Sequence, residues 1–109
     1  MNQPTFRAQI VTDTPSTVVR VTGELDVATA PALRALLDIA SEHARRIVVD
    51  MERVGFIDST GISVLLVAAR RAKDANGGFV VRNPTPVARR VVDILALDGQ
   101  LPIEHESEH

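Results

Sequence analysis

The sequence predicts an α/β fold: a mostly parallel sheet of four to five strands with an N-terminal hairpin and three helices. Three observations carry this expectation. Two alternating apolar segments near the N-terminus flank a turn cluster that contains Pro15. Downstream, short β-branched runs alternate with longer segments of helical period, as βαβ crossovers require. Cap and stop residues stand at the borders of those helical segments.

Taken in order, Phe6, Ala8 and Ile10 alternate with Arg7 and Gln9, the period of a half-buried strand. Asp13-Thr14-Pro15-Ser16 is a turn, and Thr17-Val18-Val19-Arg20-Val21 pairs back as the second arm of a hairpin. Gly23-Glu24-Leu25-Asp26 ends that strand. Leu33, Leu36, Leu37, Ala40 and Ala44 then share one helix face. Thr29 stands at the N-cap, and Pro31 lies in the first turn, where its missing N–H costs nothing. Ile47-Val48-Val49, bounded by Arg46 and Asp50, is apolar on both faces and suits a buried parallel strand.

After a connector, Phe56-Ile57-Asp58-Ser59-Thr60-Gly61 opens a second helix that runs to about Asn76. Lys73 in its last turn and Asn76-Gly77-Gly78 beyond it form the stop. Phe79-Val80-Val81 is the next strand. Thr85-Pro86 starts a third helix, whose Val87, Val91, Ile94 and Leu95 form one apolar stripe, and Asp98-Gly99 ends it. Pro102-Ile103 adds a short edge strand, and residues 104–109 read as a polar, frayed tail, so the ordered core spans about 6–103.

Composition bounds the function. A chain of 109 residues suits one domain with its own core. The absence of cysteine removes disulfides, thiolate nucleophiles and thiol redox switching. A net charge of -2, with acidic and basic residues interspersed and three Phe as the only aromatics, argues against nucleic acid. No signal peptide is visible, and the apolar stretch Gly61–Ala69 is too short to span a bilayer before Arg70 and Arg71 interrupt it. A soluble, cytoplasmic protein without membrane insertion is expected.

Catalytic arrangements fail in turn. None of Ser16, Ser41, Ser59, Ser63 and Ser107 sits in a Gly-x-Ser-x-Gly elbow, and His43, His105 and His109 are remote in sequence from Ser59. His105 and His109 have the spacing of a helical metal pair, but a polar tail is a poor cage. Asp26, Asp50 and Asp58 lie at strand or connector ends, where paired carboxylates of an enzyme could converge. There is no phosphate-binding loop. The expectation is a protein that is not an enzyme and takes no cofactor or metal.

One segment asks for more than packing. Asp58 or Ser59 can cap the second helix, which stabilises it by about 1 kcal/mol. Gly61 in the first turn costs about 1 kcal/mol relative to Ala, so close approach of another backbone or a ligand should require it. Ile62, Val64, Leu65, Leu66 and Val67 leave this helix little polar face, so it is either sandwiched or partly exposed for a partner.

Together, Gly23-Glu24-Leu25-Asp26, Ile47-Val48-Val49-Asp50, Phe56-Ile57-Asp58-Ser59-Thr60-Gly61, Gly77-Gly78 and Asn83-Pro84 resemble the STAS domain, and more narrowly the stand-alone bacterial anti-sigma factor antagonists. The resemblance runs from about Ile10 to Ile103. It implies that Ser59 is phosphorylated by an anti-sigma factor that is itself a serine kinase. The unphosphorylated form would bind that kinase and release the sigma factor; phosphorylation would break the contact, and a separate serine phosphatase would restore it. Asp26, Asp58, Ser59, Thr60 and Gly61 are the implied partner-binding residues. Phosphate at a helix N-terminus meets free N–H groups and a favourable dipole, so the domain should tolerate it. STAS domains also serve as subunits of lipid-transport ABC systems that dock on the ATPase, which is the alternative function. The chain departs from the family pattern at Ala96, where relatives commonly carry Gly. It also stops at His109, where relatives often add a fourth helix.

Overall fold

The computed structural model describes residues 6–13, 16–43, 45–95 and 99–105. Among them the chain forms β1 (Arg7–Asp13), β2 (Ser16–Leu25), α1 (Ala30–His43), β3 (Arg46–Ile57), α2 (Ser59–Asp74), β4 (Gly78–Arg82), α3 (Pro86–Leu95) and β5 (Ile103–Glu104). The strands lie in sequence order across one sheet. β1 and β2 form the expected antiparallel hairpin, and the remaining pairs are parallel. Each crossover advances one strand in the same direction, so right-handed connections bring all three helices to one face. There Val19, Val21, Leu25, Ile47, Val49 and Val81 of the sheet meet Leu33, Leu37, Ile62, Leu65, Ala88 and Val92 of the helices in a single core.

Among the described residues, the opposite face carries no helix. Val18, Val48 and Val80 stand in register across it and are nonetheless buried, with Val11 beside them. Two residues along the same strands, and hence on the same face, lie Arg20, Arg46 and Arg82, whose stems can cover apolar surface while their heads reach water. Arg46 donates to Ser16 Oγ at 3.3 Å and to Glu104 at 3.1 Å, Arg82 pairs with Glu104 at 3.5 Å, and Arg20 with Asp50 at 3.8 Å. Glu104, read from sequence as tail, is thus the second residue of β5 and an ion-pair partner of two strands.

The largest difference from expectation is β3. Its sequence signal stops at Asp50, yet the strand continues through the supposed connector to Ile57. Register shifts between Arg20 and Thr22 and between Gly23 and Glu24 each insert one extra residue on β3. Core positions therefore run Ile47, Val49, Met51 and then Val54, Ile57, a spacing of two that becomes three. Bulges break the alternation on which strand recognition depends. Gly23, at the second shift, takes φ 105°, a conformation that favours glycine.

α3 also differs. Its buried face is Ala88 and Val92 with Val91 half-buried, whereas Val87, Ile94 and Leu95 are exposed. The helix carries two overlapping apolar stripes, and the one with the smaller Ala88 allows close approach to the sheet. α2 ends at Asp74, with Asn76 as the left-handed residue at φ 60°. Gly77 is needed for another reason: a Cβ there would lie 2.5 Å from the Arg45 carbonyl oxygen. Thr14, Pro15, Ala44, Ala96, Asp98 and His109, which the sequence reading assigned to turns, helix ends and tail, lie outside the described residues.

Candidate functional site

β2 and β3 end side by side, with Leu25 opposite Ile57, and each is followed by an aspartate that turns the chain into a helix. The two ends are tied together by the Asp58 N–H, which donates to the Leu25 carbonyl at 3.2 Å. Asp58 has extended backbone, and its Oδ1 accepts from the N–H groups of Thr60 at 2.9 Å and Gly61 at 3.2 Å. It is the N-cap of α2, one of the two caps the sequence allowed. Two donors that a helix start leaves orphaned are thereby satisfied.

Gly61 is buried in the first turn. A Cβ at this position would lie 2.8 Å from Leu25 Cγ, 2.9 Å from Ile57 Cγ1 and 2.9 Å from the Leu25 carbonyl oxygen. The close approach anticipated from its cost in a helix is therefore to the end of β2 in its own domain. α2 is thus seated closely on the ends of β2 and β3, with Ser59 as its first residue. Ser59 is exposed, and its hydroxyl makes no hydrogen bond among the described residues. Thr60 is half-buried beside it.

The Asp26 corner is more elaborate. Asp26 Oδ1 accepts from the N–H groups of Ala28 at 3.0 Å and Thr29 at 3.2 Å. Thr29 occupies the predicted N-cap position of α1, since its carbonyl accepts from Ala32 and Leu33. Its side chain does not cap, however. The hydroxyl donates to the Glu24 carbonyl at 2.7 Å and accepts from the Asp26 N–H at 3.0 Å. The corner thus holds itself closed, and Asp26 lies beside Asp58 at the carboxyl ends of adjacent parallel strands.

Asp26, Asp58, Ser59, Thr60 and Gly61 are therefore gathered at one end of the sheet. Asp50 is not among them. It lies on the helix-free face, nearly buried, paired with Arg20 and accepting from the Glu52 N–H at 3.0 Å. The three aspartates do not converge, and no histidine is hydrogen-bonded to a serine among the described residues. Sequence reasoning gave no role to Val27, next to Asp26, or to the side chain of Phe56, which keep 69% and 44% of their surfaces exposed. A signal for Val27 was present, an apolar residue in a turn where no periodicity demands one.

Residues 9–103 match the family model described as Mlab, STAS domain. The chain belongs to the STAS domain family. Its relatives include the anti-sigma-B factor antagonist of Bacillus subtilis (strain 168), 30% identical over 90 residues and covering 83% of each chain. Among solved structures, an anti-sigma factor antagonist from Mycobacterium paratuberculosis superposes with a TM-score of 0.81 at 27% identity, over 91% of this chain and 85% of that one. The antagonist SpoIIAA in its unphosphorylated form gives 0.76 at 27% identity, over 95% and 90%. These three relatives are named as anti-sigma factor antagonists, and the architecture of the hairpin, parallel strands and three helices matches the SpoIIAA fold. Among the described residues, no helix is long and apolar enough to cross a membrane.

Proposed function

We propose that this STAS domain is an anti-sigma factor antagonist whose unphosphorylated form binds an anti-sigma serine kinase and frees the sigma factor, and that phosphorylation of Ser59 ends the contact. The observation that carries this reading is Ser59 itself, an exposed hydroxyl with no hydrogen-bond partner among the described residues, fixed at the first position of a closely seated helix. A transferring kinase needs the acceptor oxygen reachable and its backbone held still. Val27, which follows Asp26, and Phe56, two residues before Asp58, add exposed apolar side chains at the same two strand ends.

The capping geometry sharpens how the switch acts. A phosphoryl group adds about -1.5 to -2 charge. Contrary to the expectation from sequence, the Thr60 and Gly61 N–H groups are not free for it, because they already bond Asp58, so a phosphoryl group on exposed Ser59 stays at the surface beside that carboxylate. Like charge concentrates where the kinase docks, and the bound state loses while the fold is kept. In this reading a serine phosphatase acting on the same exposed residue resets the system, and the cycle runs in the cytoplasm.

Incubation with candidate anti-sigma kinases and labelled ATP should label the parent and leave Ser59→Ala unlabelled; equal labelling of the two would sink the assignment. Ser59→Asp should weaken kinase binding in calorimetry by about tenfold or more, and an unchanged affinity would remove the switch. Stable co-purification with an ABC-type ATPase, indifferent to Ser59, would support the transport-subunit reading instead.

A further inference from the structure

α2 presents two different faces to its surroundings. Gly61, Ile62, Leu65 and Ala69 enter the core, whereas Thr60, Val64, Val67 and Ala68 look toward α1. The two helices do not close on each other along this second face. Between them lies a groove of about 210 Å³ that begins at Thr60 and Ser63, within one helical turn of Ser59, with Leu37 of α1 at its base. Leu37, Val64, Val67 and Ala68 give it apolar surface beside the polar Thr60, Ser63 and Asp38, and Val67 keeps 48% of its surface exposed.

Two cations line this groove, and they differ. Arg71 is closed onto Asp38 at 2.8 Å. Arg34, one turn nearer the start of α1, is exposed and has no ion pair among the described residues. Apolar walls beside one uncommitted guanidinium are complementary to a chain that offers an aliphatic side chain next to a carboxylate.

We infer that this groove is the second contact point of the Ser59 surface, receiving from the anti-sigma kinase a segment that sets an aliphatic side chain against Val64 and Val67 and a carboxylate on Arg34. The inference rests on the reading of Ser59 as the residue facing the kinase. Its own support is continuity and charge: the groove opens beside Ser59, and its free charge is positive although the chain as a whole is acidic. The two elements have separate duties. The apolar seat holds the complex once formed, and the exposed guanidinium guides the approach.

The probe is the kinase that labels Ser59, added to the full chain carrying labelled methyl groups. Methyl resonances of Leu37, Val64 and Val67 should shift on binding, with Val87 and Ile94 on the exposed side of α3 unmoved. Val67→Asp should raise Kd by about tenfold or more, mainly through faster dissociation. Arg34→Glu should slow association, with a deficit that shrinks as salt is raised, and reversal of one acidic kinase residue should restore the rate. If both variants bind like the parent while Ser59 is still labelled, the groove is not a contact and the Ser59 reading survives. Absence of labelling on the parent would overturn both. Concentration-dependent self-association that Val67→Asp abolishes would assign the groove to a second copy of the chain and overturn the inference. Should either variant unfold, the methyl shifts of the parent decide.

Discussion

The two strand-to-helix corners of this domain start from the same ingredient and end differently. At β2–α1, Asp26 is followed by three turn residues before the helix begins, and Thr29 binds the Glu24 carbonyl and the Asp26 amide with one hydroxyl. The Thr29 hydroxyl, Asp26 Oδ1 and the N–H groups of Asp26, Ala28 and Thr29 are all engaged there. At β3–α2, Asp58 abuts the helix directly, and Gly61 presses the first turn against Leu25 with no space for intervening turn residues. The tighter corner is the one that leaves a hydroxyl idle. Rigid backbone and uncommitted side chain together make a position that another protein can read, whereas the looser corner spends its side chains on holding shape.

Gly61→Ala should do the greatest damage to that distinction. Its Cβ would press on the Leu25 carbonyl, which is held by the sheet, so the helix start has to move; overpacking of this kind costs about 1–3 kcal/mol. Gly55→Ala is the control, because a Cβ there meets nothing within 4 Å. Urea unfolding should show the first variant clearly weakened and the second at least as stable as the parent. Equal stability of the Gly61 variant and the parent would mean the corner is not tight.

Asp58→Ala should cost about 1 kcal/mol, the usual worth of a lost cap, and Asp26→Ala about the same for the two turn N–H groups its carboxylate accepts. Hydrogen exchange separates them. The first should speed exchange at Thr60 and Gly61 and the second at Ala28 and Thr29, following the amides each carboxylate accepts. Faster exchange at all four amides in either variant would show that the corners act as one unit.

Where the sequence was readable, and where not, follows the same physics. The helices were legible because Leu33, Leu37 and Ala40 keep the 3.6 period and because Pro86 and Asp58 stand at helix starts. The second half of β3 was not, because two bulges replace alternation with a spacing of three between Met51, Val54 and Ile57. The buried face of α3 was misread because apolar residues cover more than half its circumference, and only the nearness of the sheet selects Ala88 and Val92. At the candidate site, residue identities were legible from their resemblance to a family motif. The groove toward α1 was not, since Val64 and Val67 look like ordinary core residues until the position of the neighbouring helix is known.

Two hydroxyls give the finest test of the comparison. Thr29→Val keeps the shape of the side chain and removes the oxygen that bonds Glu24 and Asp26, so it should lower stability by about 1 kcal/mol. Ser59→Ala removes an oxygen with no partner among the described residues from an exposed first-turn position, so stability should stay within about 0.5 kcal/mol of the parent. Denaturant midpoints measured side by side check both. A hydroxyl held by evolution for the fold has to show its worth in unfolding, and one held for a partner has to be silent there. If Ser59→Ala proves as costly as Thr29→Val, the oxygen belongs to the architecture, and the contrast between the two corners disappears.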